Sequence, residues 1–120
     1  MQDFQELFKE IEQQIVSLAE STVSNYKEEA IQDAKEMLAN IKADLIRWTG
    51  LLADKQIKIN EFEWLINSDK ELVKMKALEK AGLAASRTSA FGFTVMNLII
   101  DTAIRTVVGN AEEVKEVVTG

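Results

Sequence analysis

Residues Ser89–Val108 (SAFGFTVMNLIIDTAIRTVV) constrain the fold most, because they are apolar around most of a helix's circumference. At 100° per residue, Thr94, Asn97, Asp101 and Arg105 fall in one narrow strip. Phe91, Phe93, Val95, Met96, Leu98, Ile99, Ile100, Ala103, Ile104 and Val107 cover nearly all of the rest. Such a helix must be surrounded on about three sides, and the expected place for it is the centre of a helical bundle. Asp101 and Arg105 are spaced i,i+4 with the acid first, so an ion pair within a partly buried polar strip (Asn97, Asp101, Arg105) is expected, fixing helix register. Gly92, on the side of Ala85, Ser89 and Ala103, weakens helix propensity and predicts close approach by another helix.

The length of this stretch also suits a transmembrane span, but Asn97, Asp101 and Arg105 lie inside it. Charged residues at bilayer depth cost roughly 2.5–3.5 kcal/mol each, so a buried core helix is the expected reading and no span is assigned.

The preceding half reads as helix of another kind. Residues 2–49 contain neither Gly nor Pro. Apolar or small residues recur at Phe4, Phe8, Ile11, Ile15, Leu18, Thr22, Tyr26, Ala30, Ala34, Met37, Ile41, Leu45 and Trp48, a mean step of about 3.7 residues. A single helix of that length extends about 70 Å, far beyond the 13–15 Å radius of gyration of a compact domain of about this size. Either the chain bends at Ser21–Asn25 (STVSN), where cap-type and β-branched residues cluster, or the helix is continuous and a second copy covers its protruding stripe. The second resolution is the expectation, and Phe4, Phe8, Ile11, Ile15 and Leu18 are the candidate interaction stripe.

Gly50 ends or loosens that helix, with Leu51–Ile57 able to continue it. Asn60 with Glu63 reads as a capped start of a short helix to about Ile66, with Ile59 and Trp64 as a hydrophobic staple. Ser68 with Glu71 opens another helix through Leu72, Val73, Met75, Leu78 and Ala81, stopped by a left-handed Gly82. The apolar helix then starts near Ala84–Arg87 and fades at Gly109. The fold class is therefore all-α: a helical bundle with a long amphipathic N-terminal helix, one or two short capped helices and a highly apolar central C-terminal helix. Residues 1–110 form one domain, and 111–120 are expected as a frayed or disordered tail.

Composition removes many chemistries. The 120 residues include no Cys and no His, which excludes disulfides, thiol nucleophiles, His or Cys zinc sites, Ser–His–Asp triads and His-containing di-iron bundles. With a net charge of −6 and basic residues interspersed among acids, the chain predicts no nucleic-acid partner. The opening MQDFQELFKE has no basic or apolar leader character, and a cytoplasmic location is expected.

Local motifs read mainly as scaffold. Gln56–Leu65 resembles the end of a calcium loop only superficially, since setting Glu61 as its terminal ligand leaves Gly50 and Leu52 at carboxylate positions and Lys55 where Gly is required. Glu28, Glu29, Asp33 and Glu36 form an acidic run; Glu29, Asp33 and Glu36 share a face that could hold a hard cation, but a solvated face is expected. Trp48 and Trp64 flank the fold-back connection and are the candidate pocket aromatics, with core packing as the simpler role. No cofactor is called for. The expected function is a non-enzymatic interaction or assembly module forming a homo-oligomer or binding a partner helix. The alternatives are reversible binding to a lipid surface and a carrier of a small apolar ligand between helices.

Overall fold

A computed structural model of the chain describes residues 4–68 and 74–108, and they are all-α. The helices are α1 (Phe4–Thr22), α2 (Lys27–Ala53), α3 (Ile59–Asn67), α4 (Lys76–Ala81) and α5 (Ala85–Val108), with a 3₁₀ turn at Ser24–Tyr26. The expected helix start at Ser68 is corrected: Ser68 closes α3, its hydroxyl donating to Leu65 C=O at 2.8 Å, and α4 begins only at Lys76. Glu71, Leu72, Val73 and the tail lie outside the described residues.

The expectation of one continuous N-terminal helix is corrected: the chain reverses at Val23, whose φ of −137° and ψ of 50° leave the helical region. The reason is local. Ser21 and Thr22 both turn their hydroxyls back onto the Leu18 carbonyl, at 3.1 and 2.7 Å, which offers the terminal backbone a side-chain partner in place of another turn. Tyr26 N–H then donates to Val23 C=O at 2.8 Å, closing the 3₁₀ turn. Lys27 faces Glu20 across the break at 3.6 Å. Farther along, the Lys42 ammonium lies 5.3 Å from the Phe8 ring centroid, so α1 and α2 run antiparallel as a helical hairpin. The whole molecule spans 45 × 27 × 24 Å, which a 70 Å rod could not.

Folding back lets the chain cover its own stripe. Leu7, Ile11, Ile15 and Ala19 of α1 face Ala30, Ala34, Met37, Leu38, Ile41 and Leu45 of α2 in one core with Phe91, Val95, Met96, Ile99, Ile100 and Ala103 of α5. α5 touches α1, α2, α3 and α4, the central position its composition demands. Gly92 and Ala103 are buried, whereas Ala85 and Ser89, which share their side of α5, are exposed.

The helix ends follow backbone chemistry. α2 runs through Gly50 to Ala53 and is stopped by Lys55 in the left-handed region at φ 61°. Lys55 N–H bonds Leu52 C=O at 3.1 Å and Gln56 N–H bonds Leu51 C=O at 2.8 Å, the paired bonds of a Schellman end. Gly82 takes the same role after α4 at φ 98°, as its sequence position indicated. α3 begins two residues earlier than Asn60 suggested. Lys58 is extended there, and its N–H donates to Glu61 Oε1 at 2.9 Å, so Glu61 rather than Glu63 supplies the reciprocal half of the cap. That register buries Phe62 and Ile66 and turns Trp64 outward, so the Ile59–Trp64 staple does not form.

Candidate functional site

Trp64 defines the candidate site. With Phe62 and Ile66 wholly buried on the inner side of α3, a residue two positions from each lies on the opposite side. Trp64 is 68% exposed, the most exposed of the large apolar side chains among the described residues, and Phe93 on α5 follows at 46%. Asn60, Asn67 and Ser68 share the outer face of α3 with Trp64 and are also exposed. Lys58, Glu61 and Glu63 border it with charges of both signs.

Trp48 stands elsewhere in kind: half-buried, packed on the core, with the Arg47 guanidinium 5.8 Å from its ring centroid. Arg47 is itself held by Asp44 at 2.7 Å. One indole is thus part of the core edge and the other is in water, so the two candidate pocket aromatics line no common pocket, and the simpler role of core packing holds for Trp48 but not for Trp64.

The candidate interaction stripe is corrected in the same way. Ile11 and Ile15 are 0% exposed, while Phe4, Phe8 and Leu18 are half-buried and packed against the core. The hairpin supplies from within the chain the cover that a second copy was expected to supply.

The polar strip is also corrected. Asn97, Asp101 and Arg105 are exposed, because α5 turns Val95, Met96, Ile99 and Ala103 inward and leaves its polar strip on the solvent side. Arg105 pairs with Glu10 of α1 at 3.8 Å rather than with Asp101, and both partners are about half exposed (53% and 52%). Screened pairs of this kind contribute little, about 0–1 kcal/mol.

Asp33 carries a role that the charge pattern does not reveal. The pattern groups it with a solvated acidic face, yet it is 4% exposed. Its carboxylate accepts from Ala77 N–H at 2.9 Å and Leu78 N–H at 2.8 Å, the second and third positions of α4. Those are the donors an N-cap side chain normally satisfies, and Met75, which stands at the cap, has no such group. Asp33 therefore caps α4 from α2, across more than forty residues of sequence. The sequence did hold a signal: Asp33 sits between Ala30, Ala34 and Met37 on the apolar face of α2. Among the described residues no three carboxylates gather as a metal site.

Two more features were not anticipated. Thr49 is fully buried and its hydroxyl has no hydrogen-bond partner among the described residues. Arg87 donates to the Thr22 carbonyl at 3.1 Å, tying the start of α5 to the end of α1. By length and mean hydropathy (1.3), Ala85–Val107 could cross a membrane, and half of that window is buried inside the bundle. No family model, curated protein or solved structure matches the chain.

Proposed function

We propose that this chain is a non-enzymatic helical assembly module whose contact surface is the outer face of α3 and whose partner is a second copy. The observation that carries the reading is the exposure of Trp64, 68% of an indole held in water by a rigid, capped helix. A tryptophan offers about 200 Å² of surface, so covering the exposed part is worth about 3 kcal/mol per copy before association costs. Trp is enriched at the centres of binding interfaces, and helix-borne aromatics lose little freedom on docking. A two-fold arrangement lets each copy cover the other's indole, and the mixed charges of Lys58, Glu61 and Glu63 give the rims opposite signs to pair.

The test is sedimentation velocity over a hundredfold concentration range, with Trp64→Glu beside the parent chain. The expected result is a concentration-dependent dimer that W64E reduces to a monomer of unchanged helicity. A parent chain that stays monomeric throughout, or a W64E dimer as stable as the parent, overturns the proposal.

One observation favours a second reading. The length and hydropathy of α5 suit a helix that leaves the bundle to lie on a lipid surface. Co-sedimentation with vesicles of neutral or anionic phospholipid is the result it requires, and its failure at both compositions removes that reading.

A further inference from the structure

We infer that the crevice where α5 crosses the break between α1 and α2 binds a small monocarboxylate with an apolar body, of the size of benzoate. This site is separate from the α3 surface and stands or falls independently of it.

The crevice has a volume of about 170 Å³ and is lined by Thr22, Val23, Arg87, Ala90, Phe91 and Thr94. Its floor is apolar and fixed: Val23 is 3% and Phe91 4% exposed. An apolar cavity of about 150 Å³ accepts benzene, so the available space fits one ring or a short branched chain and little more. The polar groups at the rim then decide which end group is recognised. Thr22 Oγ1 already donates to Leu18 C=O at 2.7 Å and Thr94 Oγ1 to Ala90 C=O at 2.8 Å. Each hydroxyl has a single proton, so neither can donate to a ligand without breaking its bond.

Arg87 is different. Among the described residues Arg47 is paired with Asp44 and Arg105 with Glu10, whereas Arg87 has no carboxylate partner. One of its N–H groups goes to the Thr22 carbonyl, which anchors the guanidinium at the mouth of the crevice, and its other donors remain open. An anchored guanidinium beside an apolar floor selects a planar anion that takes two parallel N–H bonds. The chain's net charge of −6 opposes a dianion such as phosphate more strongly than a monoanion, and among monoanions the carboxylate matches the guanidinium's paired donors.

The probe is sodium benzoate, with benzamide as its uncharged isostere, read by ¹⁵N–¹H chemical shifts on the full chain. Saturable shifts confined to Thr22–Ser24 and Arg87–Thr94 are expected, with benzoate bound about tenfold more tightly than benzamide. R87Q should remove that preference and leave benzamide binding unchanged. Ala90→Leu, on an exposed helical position that Leu suits, should fill the crevice and abolish both. The helical circular dichroism of each variant shows that it has folded. Shifts that do not saturate, that scatter over surface lysines, or that persist with the same benzoate preference in R87Q overturn the inference. So does undiminished binding by A90L.

Discussion

Replacing Asp33 by Ala asks whether a short helix depends on a cap from another part of the chain. The carboxylate holds Ala77 N–H and Leu78 N–H at 2.9 and 2.8 Å. Leu78 is wholly buried, so its N–H would be left without water, a loss of about 1–3 kcal/mol. Ala77 is half-buried, and water can replace its bond in part. These two bonds are the cap itself, so the bond to Ala77 adds up to about 1 kcal/mol, while the buried carboxylate no longer has to be desolvated, which offsets some of the total. The net expectation is destabilisation by about 2–3 kcal/mol, or a fall in melting temperature of about 8–12 °C for a chain of this length. Asp33→Asn retains one acceptor oxygen and should fall between the parent and D33A. Thermal denaturation measures the sum, and hydrogen exchange localises it: the amides of Ala77 and Leu78 should lose protection first, those of the α1–α2 hairpin last. A D33A protein melting within about 2 °C of the parent, with those two amides still protected, refutes the reasoning.

Four further substitutions test the backbone and the interior. Thr49→Val removes a buried hydroxyl without a partner and keeps the branched shape, so the melting temperature should rise by about 4 °C, near 1 kcal/mol. Gly50→Ala should stabilise α2 by about 0.5–1 kcal/mol, since the added Cβ meets nothing within 4 Å, whereas Gly82→Ala at φ 98° should destabilise by about 1 kcal/mol or more; denaturant titration reads both. Ile15→Glu buries a charge at a wholly covered position and should abolish cooperative unfolding; a folded, fully helical I15E contradicts the interior placement of the stripe.

The parts of the fold that are legible in the sequence are those set by one segment alone. The apolar girth of Ser89–Val108 places α5 at the centre, and Gly82 announces the end of α4. The cluster Ser21–Asn25 marks the reversal, although periodicity runs unbroken across it: Phe4 to Trp48 keep helical spacing through the turn, and spacing cannot distinguish a rod from a hairpin. What stays hidden depends on contacts between distant segments. Asp33 reads as one more surface acid until α4 is folded against it. Asn97, Asp101 and Arg105 share a strip in either case, but only the packing of α1 and α2 decides that it faces water. Proximity to one connection pairs Trp64 with Trp48 in the sequence; the Lys58 and Glu61 cap sets the register of α3 and turns Trp64 outward.

The central claim is that the N-terminal stripe is covered from within, which leaves the α3 face for assembly. The absence of native cysteine allows a direct measurement: spin labels at K9C and A43C, beside the Phe8–Lys42 contact, read by pulsed electron resonance in protein diluted with unlabelled chain. Packed antiparallel helices lie about 8–10 Å apart, so the labels should be separated by well under about 30 Å. A single peak near 50 Å, the rise of a continuous helix over that interval, contradicts the account.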